Sequence, residues 1–435
     1  MASLQAGTAT VDITPRLGCH MCGYFTDRLA DHIHDPLHAK ALALSDGETT
    51  IGLVICDLIV VPAAVVDVAK ARIHELVGVP PENVLIAGTH THTGPAIRGA
   101  LGTPMEEGYG EAIAPKIADA FAMAVRKMQP AQMAFASGDC REEVHNRRWH
   151  MKDGSVQMNP GYLNPDAVEP AGPTDPQLGL LVLRTPERQP IAALANLGLH
   201  YVGSSQGTWI SADYFAAFGQ ALQRCAGAEL LAVMANGCFG DINNCDFSRP
   251  ARQETHPYSA IERVANVVAA EAWKAWNLLR EEDFQSEVDL GARLELVPFK
   301  ARCPSAEELA QAKALYEAEG KPADADWLYA RELVLLSDDP AEWEVPIHAM
   351  RIGDLGLVGL PGEVFTEIGL DIKARSPFAQ TMNLGLANDS VGYVATDKAL
   401  DEGSYETKLC RHVRAPKGTE KLWADTAVRL LGEVR

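Results

Sequence analysis

One short apolar run that ends in two histidines limits the folds open to this chain more than any other stretch. Residues 83–87 have the composition of a buried strand, and residues 88–95 read Gly-Thr-His-Thr-His-Thr-Gly-Pro. In α/β sheets, binding sites are usually built where strands end at their carboxyl side. The stretch therefore predicts an α/β sheet with His90 and His92 in a functional site at its edge.

The segments around this run predict a sheet flanked by helices. The apolar run 50–60 reads as a central strand, Pro62 begins a helix with an apolar stripe, and strand 83–87 follows. This order is the β-α-β unit of a parallel sheet. Further strands are predicted at 6–14, 37–45, 131–137, 178–184, 190–198, 229–235, 286–298, 344–352, 354–360 and 379–386, and helices at 106–128, 212–226, 258–280 and 419–432.

These patterns predict an α/β fold with mixed, largely parallel β-sheets flanked by helices. They run through the whole chain without a linker, so we expect a single domain over residues 1–435. The sequence itself gives no sign of an internal repeat. Two polar helical segments, 304–319 and 323–336, predict a helical insertion at about residues 304–336.

Charge and composition limit the classes of molecule that this chain is expected to bind. The chain has 38 basic and 58 acidic residues, a net charge of −20, which argues against nucleic acid and anionic membrane surfaces. No apolar run reaches the roughly 20 residues that span a bilayer, so we expect no transmembrane segment. The N-terminus has no export signal and the nine cysteines are scattered, which is typical of a cytoplasmic protein with reduced thiols. The oligomeric state, a homo-oligomer included, is left open.

Potential metal ligands follow four of the predicted strands within a few residues. They are His90, His200, Glu363 and Tyr393. If these strand ends meet at one edge, two imidazoles, a carboxylate and a phenolate converge although they are far apart in sequence. Such a set suits zinc and leaves room for water or substrate. The pattern therefore predicts one Zn²⁺ per chain, although manganese or iron would also fit.

The two neighbouring histidines are predicted to have different roles. In extended backbone, residues two apart point to opposite faces, so both can reach one ion only if the chain bends. We therefore expect His90 to be a ligand and His92 to stabilise an oxyanion. Simpler roles exist for the other candidates, because His200 could be a hydrogen-bonded core residue and Glu363 could cap a helix N-terminus.

Several sequence blocks, in this order, resemble the catalytic domain of the neutral/alkaline (non-lysosomal) ceramidase family. They are Ile13-Thr14-Pro15, His34-Asp35-Pro36-Leu37, residues 88–95, Asn146-Arg147, Leu360-Pro361-Gly362-Glu363 and Gly392-Tyr393. The resemblance implies a zinc-dependent amidase with the ligands His90, His200, Glu363 and Tyr393. It also implies that His92 and Arg147 contact the substrate carbonyl or the transition state, with Tyr393 among the catalytic groups.

The chain departs from that family at a motif that reads Gly-Asp-x-Ser-Pro-Asn there, whose serine has been regarded as a nucleophile. Here Asn243 occupies the serine position, and an amide cannot act as a nucleophile. We therefore expect metal-activated water and no nucleophilic side chain; Cys245 is a weak thiol substitute. Asp213, Asp241 and Asn243 are predicted to shape the pocket.

The predicted substrate is small or soluble, with an amide or ester bond, a lactone included. Secreted ceramidases have an export signal and a C-terminal immunoglobulin-like domain, and neither is found in this sequence. Without them, an acidic protein is poorly suited to a membrane lipid such as ceramide.

Two alternative functions remain open from the sequence. The first is an amidohydrolase-type (β/α)8 barrel enzyme, which also places His-x-His after a strand but needs further strand-end ligands that fit poorly here. The second is a non-catalytic, metal-stabilised binding protein derived from the ceramidase fold. The missing serine favours the binding protein, whereas the complete ligand set and Arg147 argue against it.

Overall fold

Three sheets of similar design form the body of the protein. In the computed structural model, residues 3–318 and 324–435 are described, and this range contains twelve longer strands. They are β1 Gln5–Asp12, β2 His38–Ser45, β3 Thr50–Cys56, β4 Val84–Gly88, β5 Gln132–Asp139, β6 Gln177–Arg184, β7 Pro190–Leu197, β8 Leu231–Asn236, β9 Leu290–Lys300, β10 Glu342–Ile352, β11 Leu355–Gly359 and β12 Gln380–Leu384. The helices are α1 Ala63–Val77, α2 Tyr109–Arg126, α3 Asp213–Ala226, α4 Ser259–Asn277, α5 Ala306–Tyr316, α6 Ala325–Leu336, α7 Thr366–Arg375, α8 Asp397–Glu402 and α9 Thr419–Val434.

The chain builds the same arrangement three times. In each unit, three strands form an antiparallel meander, a helix crosses over, and a fourth strand joins in parallel beside the third. A second helix then packs against the crossover helix. The first unit contains β1–β4 with α1 and α2, the second β5–β8 with α3 and α4, and the third β9–β12 with α7 and α9.

The three sheets face one another across a shared hydrophobic cluster. Strand β3 contributes Ile51, Leu53 and Ile55 to this central cluster, while Val54 and Cys56 on its other face pack in the cluster of α1 and α2. The other two sheets divide their faces in the same way, each with its own pair of helices outside. Both faces of each sheet are therefore covered, which explains the nearly continuous apolar runs in the sequence.

The strand ends of the three units meet around the centre. Just beyond β12, the amide of Asn388 donates to the Ile86 carbonyl at 2.7 Å, and the amide of Gly385 donates to the Asn236 carbonyl at 3.1 Å. These bonds connect the chain after β12 to β4 and to β8. The carboxyl ends of the parallel strands consequently lie together, as the sequence predicted.

The predicted α/β class with mixed sheets is confirmed. Three other expectations are wrong: the largely parallel pairing, the absence of a repeat and the alternative barrel fold. The sheets are mainly antiparallel rather than largely parallel, because each unit has one parallel pair and otherwise antiparallel neighbours. An internal repeat does exist, as a repeat of topology. The (β/α)8 barrel is excluded, because the longer strands of the described ranges form three separate sheets.

Short strand pairs connect the loops that surround the strand ends. The pairs are His20–Met21 with Arg28–Leu29, His32–Ile33 with Trp209–Ile210, His145–Asn146 with Ile242–Asn243, and Glu363–Val364 with Tyr393–Val394; Arg148–Met151, Val156–Met158 and Ala167–Pro170 form a three-stranded sheet, and Gln129–Pro130 extends the first large sheet beside β1. The last two-stranded pair is parallel and places Glu363 directly beside Tyr393. Two predicted ligands that are thirty residues apart in sequence therefore become neighbours.

The predicted helical insertion lies between β9 and β10 and contains α5 and α6; residues 319–323 of the predicted region fall outside the described residues. The buried carboxylate of Glu332 in α6 binds Arg411 at 2.8 and 2.9 Å. Arg331 donates to the carbonyl of Leu101. The insertion thus supports two loops, around residues 101 and 411, that border the site described below.

The shared core predicts that the three units unfold together. Leu53, Leu181 and Leu357, one from each sheet, are at most 1% exposed in the central cluster. Replacing any one by alanine should lower the free energy of unfolding by about 2–5 kcal/mol. Urea unfolding should show one transition that shifts in all three variants.

The matched control is Leu278→Ala, because this leucine is 72% exposed and its loss should change stability by less than about 0.5 kcal/mol. Separate transitions, with each variant shifting only one of them, would contradict both the shared core and the predicted single domain.

Candidate metal and active site

His90 lies at a sharp bend just after β4. Its φ is 77°, in the left-handed region that side-chain-bearing residues rarely adopt. The backbone amide of His90 donates to the Leu58 carbonyl at 2.8 Å, and Nδ1 lies 2.8 Å from the Ile59 carbonyl. Because a carbonyl only accepts, Nδ1 is the donor and Nε2 carries the free lone pair that a metal ligand needs.

The bend at His90 brings His92 to the same point. Nδ1 of His92 lies 2.8 Å from the Gly23 carbonyl, which fixes the same tautomer. Its ring stacks on Tyr201 with centroids 3.6 Å apart and an interplanar angle of 14°. Arg28 donates to the carbonyls of both Cys22 and His92, at 2.6 and 2.7 Å, and so holds the loop with Gly23 against the histidine.

Three imidazoles and one carboxylate converge within a few ångströms. Nε2 of His90 lies 3.0 Å from Nε2 of His92 and 3.1 Å from Nε2 of His200. Oε2 of Glu363 lies 3.2 Å from His90 Nε2 and 3.8 Å from His200 Nε2. All four residues are buried. His90, His92 and His200 form a group that could hold a metal ion.

The donor atoms fit a metal ion better than they fit one another. The Nε2 lone pairs of His90 and His92 face each other, and Oε2 of Glu363 is buried without a hydrogen bond. At zinc–nitrogen distances of about 2.0–2.1 Å, tetrahedral ligand atoms lie about 3.3 Å apart. The spacings of His90 from His92, His200 and Glu363 are close to that value, whereas His200 and Glu363 lie somewhat farther apart, at 3.8 Å. The site therefore has dimensions that could hold a metal ion.

Burial keeps two of the histidines, His92 and His200, neutral. It lowers the pKa of His92 well below 6.5, and the neighbouring His90 adds to the effect. Burial also lowers the pKa of His200, as does the charge of Arg147. Burial alone would raise the pKa of Glu363, but His90 and the Tyr393 hydroxyl reverse this, so its pKa lies below the usual value. Neutral imidazoles and an ionised carboxylate are the protonation states that bind metal.

Arg147 connects the cluster to Tyr393. Its Nη2 donates to the Tyr393 hydroxyl at 2.9 Å, and its Nη1 lies 3.3 Å from Nδ1 of His200. Nε donates to the buried carboxylate of Glu406 at 2.8 Å, and Arg148 binds the other oxygen of Glu406 at 3.0 Å. The guanidinium is therefore fixed and charge-balanced beside the cluster.

A narrow cavity opens onto the cluster. Its lining includes His90, His92, Glu363 and Tyr393, together with Cys22, Gly23, Tyr24, Ile59, Val60, Arg98, Ala100, Leu101, Ser390, Gly392, Tyr405 and His412. One part of the wall is apolar, formed by Ile59, Val60 and Leu101. A larger depression near Cys245 and Arg252 shares none of these lining residues and has no comparable cluster among the described residues.

The three residues predicted to shape the pocket lie outside the cavity lining. The carboxylate of Asp213 accepts the amides of Val202 and Gly203 at 2.9 and 2.8 Å, and so supports the segment after His200. Asp241 accepts the amide and hydroxyl of Thr366 at the start of α7.

Asn243 is the third of these residues, and its amide is occupied by hydrogen bonds to Asn159 and to the Cys245 amide, at 2.8 and 2.9 Å. Asp213, Asp241 and Asn243 therefore support the loops around the cavity without lining it. Burial raises the pKa of the Cys245 thiol, which disfavours the nucleophilic thiolate.

Several residues of the site were not predicted from the sequence. Ile59 acts through its carbonyl, which any residue type could supply, so the sequence holds no signal for it. Gly23 also acts through its carbonyl, but its φ of 102° and the 2.6 Å that would separate a Cβ from the His92 ring require glycine there. Glu406 follows no strand and appears in none of the recognised blocks. Ile59 does lie just beyond β3, next to the strand that ends at His90, and this position alone could have pointed to it.

Solved structures of ceramidases share this fold. The neutral ceramidase from Pseudomonas aeruginosa matches with a TM-score of 0.75 and 20% identity, over 99% of this chain and 74% of that one. A ceramidase complexed with C2 matches with a TM-score of 0.77 and 19% identity, over 99% and 75% of the two chains. Neither a protein-family model nor a curated protein sequence matches the chain. The ceramidase-like fold is therefore confirmed, at an identity that establishes the fold alone.

Helix length and hydropathy give one further result. Across residues 3–318 and 324–435, no helix is both long and apolar enough to cross a bilayer.

The depressed histidine pKa values predict how stability depends on pH without metal. An unfolded histidine titrates near 6.5, so below that pH the unfolded chain binds more protons than the folded one. The free energy of unfolding should therefore decrease as the pH is lowered below 6.5. For each such histidine the decrease is about 1.4 kcal/mol per pH unit, until the pH reaches the pKa of that histidine in the folded protein. Urea unfolding in EDTA between about pH 7 and pH 5.5 measures this slope.

Comparison with two variants assigns the slope. His200→Gln should make it shallower by the contribution of one histidine. His256→Gln is the control, because its side chain is 55% exposed and should leave the slope unchanged. An unchanged slope in His200→Gln would show that His200 is not held neutral.

Proposed function

We propose that this protein is a metal-dependent hydrolase, with zinc as the preferred ion, that cleaves an amide or ester bond of a small substrate. The observation that carries the proposal is the convergence of His90, His200 and the buried Glu363 carboxylate beside a narrow cavity. The ceramidase-like fold supports an amide bond as the target. An ester or a lactone has the same carbonyl chemistry.

The proposed ligands are His90, His200, Glu363 and Tyr393, with one ion per chain. Glu363 approaches both His90 and His200 within 4 Å, whereas His92 contacts the group through His90. Tyr393 lies beside Glu363 in the short parallel strand pair. His92 lines the cavity while His200 does not, which suits a residue that faces substrate.

The side chains around the proposed ion have separate tasks. When bound, zinc would polarise the substrate carbonyl and lower the pKa of a water toward about 7. His92 lines the cavity with its Nε2 unprotonated, so it would first accept a proton from the water and then, as an imidazolium, donate to the carbonyl oxygen as charge develops on it. Arg147 does not line the cavity, and its charge would act through the Tyr393 hydroxyl, to which it donates. Glu406 holds the Arg147 guanidinium in place and Tyr201 holds the His92 ring, so neither group needs to reorganise during the reaction.

The proposed reaction needs no nucleophilic side chain. Asn243 stands where the related family has a serine, and its amide is bound to Asn159 away from the cavity. The alternative of a non-catalytic binding protein rests on this same position. Measurements of metal content and of turnover together distinguish the hydrolase from the binding protein.

Elemental analysis of purified variants tests the ligand set. Wild type should contain about one zinc per chain. His90→Ala and Glu363→Ala should lose it, because each removes a ligand. His92→Ala should keep the metal and lose about 100- to 1,000-fold in kcat on N-acyl amides and esters, as expected for a group that transfers a proton in the reaction.

Exposed residues of the same types serve as controls. His256→Ala and Glu307→Ala should keep both metal and activity, because these side chains are exposed. Equal metal loss in His90→Ala and His92→Ala would make His92 a ligand and overturn the division of roles. A wild type that takes up no metal when zinc is supplied would remove the hydrolase proposal and favour the binding protein.

A second variant tests the proposed use of water. Cys245→Ala should retain kcat/KM within about twofold, because a protonated thiol outside the cavity contributes no nucleophile. Steady-state kinetics on the best substrate of the panel measures this. Loss of activity together with a trapped acyl-enzyme in wild type would instead identify Cys245 as the nucleophile.

A further inference from the structure

The wall of the cavity contains an arginine with no carboxylate partner. Arg98 follows the His-x-His stretch and lines the same cavity as His90, Glu363 and Tyr393. One nitrogen of its guanidinium, Nη1, donates to the Ser390 carbonyl at 2.7 Å. Among the described residues, no acidic side chain forms an ion pair with it, and the Ser390 carbonyl is the one acceptor that its guanidinium has there.

Two other arginines around the site are paired with carboxylates, whereas Arg28 donates to backbone carbonyls. Arg147 binds Glu406 at 2.8 Å, and Arg411 binds Glu332 at 2.8 Å. The acidic residue that acts most strongly on Arg98, Asp389, is already used, because its carboxylate accepts the Ala63 amide at the start of α1. Burial consequently lowers the pKa of Arg98, and Asp389 offsets this only in part. The other nitrogens of Arg98 are not sealed from solvent, so they remain available to a ligand in the cavity.

The position of Arg98 relates it to the proposed reaction. Its charge and that of Glu363 both act on His412, which lines the cavity between them. Leu101 and Val60 form an apolar wall in the same cavity. A substrate with its carbonyl at the ion could therefore place an apolar group on this wall and a charged group on Arg98.

We infer that Arg98 binds a carboxylate of the substrate, so that the preferred substrates are N-acylated compounds of the amino-acid type rather than neutral amides. The inference rests on the proposed hydrolase function. A planar guanidinium matches a carboxylate with two parallel hydrogen bonds. One arginine also balances the single charge of a carboxylate, whereas a phosphate dianion usually requires several cationic groups.

Calorimetric titration of the zinc-loaded protein tests the inference without turnover. The two probes are a ketone analogue of an N-acylglycine, with methylene in place of the amide nitrogen, and a neutral counterpart with methyl in place of the carboxylate. Wild type should bind the anionic probe at least about tenfold more tightly, the effect of a charge-assisted hydrogen bond. Arg98→Gln should abolish this ratio, and Arg98→Lys should leave an intermediate one.

Arg72→Gln is the matched control, because Arg72 lies on α1 with a side chain that is 45% exposed; it should keep the wild-type ratio. Equal binding of the two probes by wild type, binding of neither, or a wild-type ratio in both Arg98 variants would overturn the inference.

Turnover assays separate this inference from the proposed function. Hydrolysis of neutral amides by a wild type that shows no preference between the probes would leave the hydrolase proposal standing and remove the role of Arg98. A clear preference for the anionic probe, in a protein without turnover on any amide or ester, would support the carboxylate site and contradict the hydrolase.

Discussion

The structure depends on the compensation of buried polar groups at one point. His90, His92, His200 and Glu363 are withdrawn from water within a few ångströms of one another, and an unpaired polar group in such a place costs several kcal/mol. The carbonyls of Ile59 and Gly23 satisfy one nitrogen of two imidazoles. The remaining lone pairs and the carboxylate oxygen point at one another. A metal ion is a partner that could satisfy these groups together.

The bend at His90 shows where local sequence rules stop. The sequence correctly predicts a strand that ends at Gly88, because the apolar run before it is unmistakable. The rule that residues two apart point to opposite faces then separates His90 from His92. The left-handed conformation of His90 defeats this rule at a cost of about 1–2 kcal/mol. Bonds to the carbonyls of Leu58 and Ile59, which no sequence pattern encodes, stabilise the bend.

The positions of the strands and helices could be predicted from the sequence, but the way the strands pair could not. A strand that is covered on both faces reads as a continuous apolar run, whether its neighbours are parallel or antiparallel. Strand β3 is such a case, since Ile51 and Leu53 face the central cluster while Val54 faces the helices. The threefold repeat is hidden for the same reason. Similar hydrophobic patterns recur in each unit, whereas the residues after equivalent strands differ completely.

Those differences explain how a repetitive scaffold carries a single cluster. Asp57, His200 and Glu363 follow equivalent third strands of the three units. Asp57 has a structural role, because its carboxylate accepts a hydrogen bond from the amide of His38 at 3.0 Å and forms an ion pair with Lys40 at 3.1 Å. His200 and Glu363 instead belong to the cluster beside the cavity. An equivalent strand end thus becomes a structural or a functional position according to what reaches it from the neighbouring loops.

The loops also determine what the cavity can accept. Gly23 orients His92, Leu101 and Arg98 form part of the wall, and the helical insertion supports the loop that contains Leu101. None of these groups belongs to the three sheets. The sheets fix the positions of the proposed ligands, while the loops, which are free of ladder hydrogen bonds, set charge and shape around them. Likeness of fold therefore constrains the positions of the proposed ligands far more tightly than it constrains what the cavity accepts.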